Sequence, residues 1–532
     1  MTTGRRPYSR HLSDLLREQT AAAPDRPVVI AGDRTLTYAE LDAVVDGLAA
    51  GLAGLGLGPG GTLGLLCTNR WEWVATALAA MRLGATVATF NTFAKAWDLD
   101  YMLGHSEVEI LVLLDGYKAR DYLETLSELV PELGTQALPT ERFPRLREVV
   151  VIGDRVPEGA IGFSSLQADG APPAPPVGSA ADDAFVLYTS GSSARPKAVP
   201  LQQYGVVENG FAIGERMGLT DADRVWVSIP LFWAYGATNA LPATLTHGGA
   251  LVLQESFEPG EALDLIEAHG ATAAYTLPNI TGALLGHPDF APQRTQTLER
   301  GLTLGPPAEL RRTAEVLGIT AISNIYGGTE TYGNCCVTPS TWPLERRAEC
   351  QGPPLPGVSL RVLGEDGSEL PPGEVGELHV RGYITRGYRN DTSGAGAAFG
   401  EDGWFRTGDL AHLDAEGCVH FAARATEMIK TGGINVAPRE VEEFLALRDD
   451  VADVAVIGAP DERMGEVVVA FVVPVAGTAP TAEELRAFCK ERIAMFKVPA
   501  RVHVVGDLPK TDTGKLARRE LLERDVAREE IS

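Results

Sequence analysis

Cysteine is scarce in this 532-residue chain: Cys67, Cys335, Cys336, Cys350, Cys418 and Cys489, with no Cys-x-x-Cys pair among them. So few, so spaced, they exclude a disulfide framework and a paired-cysteine zinc site, and a reducing compartment is expected. Positive charge is also in short supply. Against 71 Asp and Glu stand 46 Lys and Arg, a formal charge of −25. Such a surface repels nucleic-acid backbones and anionic membranes, both of which need a cationic face, so neither is expected as a partner. Long apolar runs are missing as well. The longest mostly apolar stretch, Val74 to Phe90, is interrupted by Arg82, and residues 1 to 20 have no apolar stretch to serve as a signal core. The expected location is cytoplasmic. No low-complexity block dominates and no fixed-period repeat is visible, which leaves out a solenoid or propeller.

What the chain does have is length and alternation. At 532 residues it exceeds what one hydrophobic core supports, so at least two domains are expected. Short β-branched runs recur at Val28 to Ile30, Leu63 to Cys67, Val87 to Phe90, Leu111 to Asp115, Val149 to Ile152 and Phe185 to Tyr188. Helical stretches, Leu41 to Leu55 and Trp71 to Leu83, fall between them. This alternation predicts an α/β fold with largely parallel sheets. Gly170 to Ala181, GAPPAPPVGSAA, reads as a surface connection. After Asp409 the texture changes to a Gly-rich segment, then strands at Val451 to Ile457 and Val467 to Val473 and a helix at Glu483 to Ile493. The fold class is therefore a large N-terminal domain of layered α/β sheets, residues 1–424, a hinge at 425–427, and a small mobile α+β domain at 428–532.

A chain this acidic must hold an anionic ligand with local devices: backbone amides, a bound cation, a few placed cations. Tyr188-Thr-Ser-Gly-Ser-Ser-Ala-Arg-Pro-Lys197 follows an apolar strand and offers such a device. Thr189, Ser190, Gly191, Ser192 and Ser193 let successive amides point into a concavity, and Lys197 adds a point charge. The spacing is not that of a Walker loop, and a Ser-rich surface turn is the alternative. Asn324-Ile-Tyr-Gly-Gly-Thr-Glu330 pairs a ring that suits a purine, Tyr326, with Gly327 and Gly328 for close approach and Thr329 and Glu330 for a phosphate and Mg²⁺. In Gly403-Trp-Phe-Arg-Thr-Gly-Asp409 the carboxylate could accept ribose hydroxyls or simply cap its own turn.

Two further motifs run from Arg424 to Glu442 and over Pro509-Lys-Thr-Asp-Thr-Gly-Lys515. With five motifs in this order, the chain over essentially its whole length resembles the adenylate-forming superfamily of acyl-CoA synthetases, luciferases and nonribosomal peptide adenylation domains, and is most similar to the freestanding acyl-CoA ligase branch. The resemblance implies a phosphate loop at Thr189 to Lys197, nucleotide binding by Asn324, Tyr326 and Gly327 with Tyr326 stacked on adenine, an α-phosphate contact by Thr329, Mg²⁺ on Glu330, and ribose contacts from Asp409 and Arg424. It makes Lys515 the catalytic lysine, bridging the attacking carboxylate and the α-phosphate. It also implies a two-position cycle about a hinge near Thr426, where Asp or Lys is common, and a pantetheine tunnel lined by Gly432 and Gly433. Departures are Ser193-Ala194, Ala198 and Ala423 where Gly or Thr is usual, and Leu302 to Pro307, which lacks a double glycine.

For the acid pocket the segment Pro230 to Asn239 is the candidate, with Trp233, Tyr235, Gly236, Asn239 and Gly328 as lining. A large aromatic at 233, where relatives often carry His, points to an aryl or short, compact acid; ordinary core aromatics are the alternative. Cys335 and Cys336 could face substrate or serve as small core hydrophobes. The resemblance thus implies an acid–thiol ligase that uses ATP, Mg²⁺ and CoA. The tunnel loop, and a chain ending soon after Lys515 without a carrier domain, favour CoA as acceptor. A carrier protein or an amine, including nitrite-dependent diazotisation of an aryl amine, is the alternative, and the oligomeric state stays open. A non-catalytic scaffold would have no need of Lys515, Glu330, Asp409 and Arg424 together.

Overall fold

The computed structural model describes residues 6–135, 138–166, 178–189, 196–391, 395–431, 434–436, 438–461, 464–493, 495–511 and 516–529. Two compact units emerge: Met1–Ser359 with Val380–Phe405, and Leu360–His379 with Arg406–Ser532.

In the first unit all six expected strands form, within a residue or two of their anticipated ends, as Pro27–Ala31, Thr62–Leu66, Thr86–Thr89, Ile110–Leu114, Glu148–Ile152 and Asp183–Thr189. A seven-stranded sheet runs in the order Lys197–Gln202, Asp183–Thr189, Thr86–Thr89, Thr62–Leu66, Ile110–Leu114, Glu148–Ile152, Ile161–Gly162. Its pairs are parallel except the first. Three central strands are buried along their whole length, as strands covered by helices on both faces must be. An eight-stranded sheet is ordered Cys336–Val337, Ala321–Tyr326, Arg300–Thr303, Ala273–Tyr275, Arg224–Val227, Ala250–Leu253, Pro27–Ala31, Arg34–Thr37. Only its edge pairs are antiparallel.

The helix expected at Leu41 to Leu55 starts earlier, as Tyr38–Gly54, because Thr37 caps it. The Thr37 hydroxyl accepts from the Glu40 amide while the Glu40 carboxylate accepts from the Thr37 amide, so two otherwise orphaned donors are satisfied. Helix Trp71–Arg82 explains the apolar stretch: it is buried from Glu72 to Arg82 in the core. Arg82 is tolerated there because Asp42, at 2.6 Å, and Asp46 pair with it and Ser13 accepts from its Nε. Among the described residues no helix is long and apolar enough to cross a membrane.

In the second unit, strands Ile434–Val436, Ile429–Thr431, Gly465–Pro474, Val451–Asp461 and Arg501–Val504 share one sheet. Alternation along Gly465–Pro474 sorts its side chains to two faces. Val468, Ala470 and Val472 pack with Val441 and Leu445 of helix Pro438–Leu445 and with Leu485 and Cys489 of helix Ala482–Arg492. Val467, Val469 and Phe471 pack with Leu521 of helix Arg518–Glu529. The unit also takes in the hairpin Phe405–Leu413 and Val419–Arg424, from Arg406 onward, which lies N-terminal to the sequence boundary at 424. Compactness follows strand pairing and does not itself locate a hinge. Of the connection Gly170 to Ala181, only Gly178 to Ala181 fall within the described residues.

Candidate active site

Strand Asp183–Thr189 is antiparallel to Lys197–Gln202, with Thr189 directly opposite Lys197. The two ends of the expected phosphate loop are thereby pinned side by side. Ser190, Gly191, Ser192 and Ser193 lie outside the described residues. The Lys197 ammonium sits over the ring of Tyr388, 4.8 Å from its centroid, a cation–π contact that holds the cation without neutralising it.

Tyr326 ends strand Ala321–Tyr326 and is buried. The chain then folds tightly: a Cβ on Gly327 would lie 2.3 Å from the Gly333 carbonyl oxygen, so only glycine fits. A one-turn 3₁₀ helix, Thr329–Thr331, follows, with the Gly328 amide donating to the Thr331 hydroxyl. Tyr332 closes the segment at φ +60, unusual for a non-glycine residue. Its carbonyl accepts from Asn209, Thr238 and Asn239, and its hydroxyl accepts from the Gln202 amide, which hold that conformation. Asn324 is placed differently from a nucleotide contact. It is fully buried, its amide donates to the Cys350 carbonyl, and its Oδ1 accepts from the Ile325 amide, so it secures the strand that delivers Tyr326.

Glu330 is the acceptor for the Tyr388 hydroxyl at 2.9 Å. Burial, reinforced by the Glu330 charge, pushes the Tyr388 phenol up, so it remains a donor. The backbone is tied at the same place: the Thr385 amide donates to the Glu330 carbonyl at 2.7 Å, the Thr385 hydroxyl to the Pro200 carbonyl at 2.6 Å, and the Arg389 amide to the Ala198 carbonyl at 2.9 Å. Thr385, Tyr388 and Tyr332 were not singled out in the sequence. A positive-φ tyrosine leaves no local signature, and Tyr388 lies 58 residues from Glu330.

The candidate acid pocket carries a backbone irregularity. Tyr235–Ala240 is a π-helical segment running into helix Leu241–His247, a feature frequent at functional sites. Gly236 is required there, since a Cβ would lie 2.5 Å from the Pro230 carbonyl oxygen. Half-buried Trp233 meets Phe232 edge to face. Tyr235 packs on Tyr275 at 5.1 Å, and Asn239 is buried with its amide on the Tyr332 carbonyl. The pocket segment and the Gly327–Gly333 turn are thus joined through Tyr332. Cys335 and Cys336 are fully buried, as small core residues are.

Within the second unit, Asp409 and Arg424 are partners across the hairpin. The Arg424 Nε lies 2.9 Å from Asp409 Oδ1. Residues Ala425–Glu427 form a 3₁₀ turn, and Arg518 reaches Glu427 and Glu442, each at 3.3 Å. Strands Ile429–Thr431 and Ile434–Val436 pair as a hairpin; Gly432 and Gly433 between them lie outside the described residues. So does Lys515, whose segment is flanked by a bridge between Lys510 and Leu516.

Residues 16–389 match the model of the AMP-binding enzyme family, and residues 440–515 match that of the AMP-binding enzyme C-terminal domain. The chain belongs to the AMP-binding enzyme family. This AMP-binding enzyme is 33% identical over 530 residues, 96% of each chain, to a Bacillus subtilis (strain 168) protein named as an acyl-CoA synthetase, YngI. It is 30% identical over 510 residues to the mitochondrial medium-chain acyl-CoA ligase ACSF2 of Bos taurus, covering 92% of this chain and 83% of that one. The crystal structure of the anthranilate CoA ligase AuaEII in complex with anthranoyl-AMP superposes with a TM-score of 0.86 at 25% identity, over 98% of this chain and 99% of that one. The AMP-binding enzyme is accordingly an adenylate-forming ligase of the AMP-forming acid–thiol kind, and its mixed α/β fold is that of the superfamily.

Proposed function

We propose that the enzyme activates a small carboxylic acid, aryl or short and cyclic, with ATP to an acyl-adenylate and pyrophosphate, then transfers the acyl group to CoA. The observation that carries this reading is the meeting, in one unit, of Lys197 at the phosphate loop, the Tyr326 turn and Glu330, joined through Tyr388. An aryl acid is supported by the likeness to the anthranilate CoA ligase and by the aromatic Phe232–Trp233–Tyr235 segment leading into a π turn. The medium-chain ligase among the relatives makes a longer aliphatic acid the rival substrate.

Among the described residues no group of three His, Cys, Asp or Glu could by itself hold a metal. Mg²⁺ takes one or two carboxylates and completes its coordination with phosphate oxygens and water, and the Glu330 carboxylate, bonded to Tyr388 through Oε1, suits that donor set. Glu330 supplies the carboxylate, with Thr329 beside it for a phosphate oxygen. When bound, Mg²⁺ would neutralise charge on the triphosphate. Lys197 would bind the outer phosphates, Tyr326 would stack on adenine, and Asp409 with Arg424 would hold the ribose. Lys515 would bring its ammonium between the acid carboxylate and the α-phosphate, offsetting the repulsion of two anions that must join. A hinge at 425–427 would let the small domain, 428–532, present Lys515 first and the Gly432–Gly433 segment afterwards.

ATP–pyrophosphate exchange over a panel of aryl, short aliphatic, medium-chain and amino acids plus nitrite, with CoA consumption followed in parallel, tests the proposal. Exchange with an aryl or short acid and CoA-dependent AMP release is the expected result. Exchange without thioester formation would overturn CoA as acceptor, and a preference for medium-chain acids would overturn the compact pocket.

A further inference from the structure

Tyr388 touches two groups that ATP activation needs apart. Its hydroxyl donates to Glu330 Oε1 at 2.9 Å, while the Lys197 ammonium rests over its ring at 4.8 Å. The ring is itself held, edge to face on Phe399 with centroids 5.4 Å apart, and Phe399 stacks on Phe405 at 4.9 Å. The backbone from Thr385 to Arg389 donates on one side to the Glu330 carbonyl and on the other to the Ala198 carbonyl of the strand that begins at Lys197, and the Thr385 hydroxyl adds a bond to the Pro200 carbonyl of that strand. Both side-chain contacts of Tyr388 are therefore anchored by main-chain bonds to the same two segments.

An ammonium and a carboxylate free to meet in a partly buried site attract strongly, because the effective dielectric there is low. If Lys197 closed on Glu330, the cation would be lost to the phosphates and the carboxylate to the metal. A ring face holds an ammonium without discharging it. A phenol donating to one carboxylate oxygen orients the carboxylate and leaves its other oxygen available, as the outer hydrogen-bond partners of metal ligands do.

We propose that Tyr388 is a positioning residue for the metal–nucleotide complex: its hydroxyl presents Glu330 to Mg²⁺, and its ring keeps Lys197 off that carboxylate and on the phosphates. The proposal rests on the assignment of Glu330 and Lys197 given above. It assigns a distinct task to each part of one side chain, and the two tasks separate by mutation.

The test compares wild type, Tyr388→Phe and Tyr388→Leu in two binding measurements that need no turnover. One is Mn²⁺ affinity in the presence of a non-hydrolysable ATP analogue, by electron paramagnetic resonance. The other is affinity for the analogue without metal, by calorimetry. Tyr388→Phe, which keeps the ring and loses the hydroxyl, is expected to weaken Mn²⁺ roughly 10-fold or more, the usual effect of losing an outer partner of a metal ligand, while metal-free analogue binding is unchanged. Tyr388→Leu is expected to weaken both. A Phe variant that binds Mn²⁺ like wild type overturns the proposal, as does one that loses metal-free binding to the same extent, since that would mark a general structural role. If the Leu variant does not fold, the Phe variant decides alone. A wild-type protein that binds the analogue in neither measurement would overturn the ATP assignment itself, with the Tyr388 proposal falling as a consequence.

Discussion

Asp409 and Arg424 stand opposite each other on adjacent strands of one hairpin, and the Arg424 Nε lies 2.9 Å from Asp409 Oδ1. The Asp409 side chain is only 7% exposed and its Oδ1 is paired with Arg424, which holds the carboxylate in one orientation, while the main-chain amide of Asp409 donates to the Thr407 hydroxyl at 3.0 Å. An oriented carboxylate is what two ribose hydroxyls require of an acceptor. Asp409→Asn should therefore raise the KM for ATP about 10-fold or more, since a hydrogen bond to a charged group is worth about 1.5–3 kcal/mol. The KM for the acid should change little. ATP–pyrophosphate exchange at varied ATP measures the first, and an equal rise in both constants would count against a ribose contact.

Lys515→Ala should act on one half-reaction. Adenylation is expected to fall about 10²–10³-fold, the scale seen when one donor to a developing anion is removed. Thioester formation from added acyl-adenylate and CoA should keep most of its rate. Single-turnover measurements of each half separate the two, and equal losses would deny Lys515 its proposed place in the first step.

Trp233→Ala should widen the acid range. Trp233 is half-buried against Phe232 and lies two residues before the segment that becomes the π turn. Removing the indole should shift the exchange activity toward bulkier or longer acids and raise the KM for a compact one. The acid panel run on the variant shows it; an unchanged ranking would make Trp233 a core aromatic only.

Glu309 makes stability depend on pH. Burial raises its carboxyl from an ordinary value of 4.5 to about 7, with Arg312, 3.8 Å away, and the Thr281 and Thr313 hydroxyls opposing the shift. Between these two values the folded chain holds a proton that the unfolded chain has released. This contribution to stability is therefore complete below about 4.5 and is lost as pH rises through 7. Glu309→Gln, which cannot ionise, should flatten this part of the profile and gain relative stability at pH 8. Urea denaturation of both proteins at pH 5, 6, 7 and 8 measures the difference, and parallel profiles would contradict it.

Much of the fold was legible locally. Strands such as Val149 to Ile152 and Phe185 to Tyr188 are short, β-branched and bounded by turn residues, and they formed as Glu148–Ile152 and Asp183–Thr189. Helix Tyr38–Gly54 began three residues earlier than its apolar pattern, because a capping box at Thr37 and Glu40 outweighs periodicity at a helix end. The site was legible in part. Thr189 and Lys197 as neighbours, Glu330 on a tight turn and Asp409 near Arg424 follow from motifs whose residues lie close in sequence or on paired strands. Asn324 belongs to a motif that implies a nucleotide contact, yet its side-chain amide is spent inside the protein on the Cys350 carbonyl.

Length and the alternation of strands and helices by themselves determined a two-part α/β chain, and the motifs carried the resemblance that implied adenylate chemistry, because tight glycine turns and capped helices are set by residues within a few positions of one another. Only the tertiary structure decided that Tyr388 joins Lys197 to Glu330, that Tyr332 couples the π turn to the Gly327–Gly333 segment, and that Arg82 is a buried partner of Asp42 and Asp46. Those contacts depend on how sheets and helices pack, and a pairing between residues far apart in the chain leaves no periodicity to read.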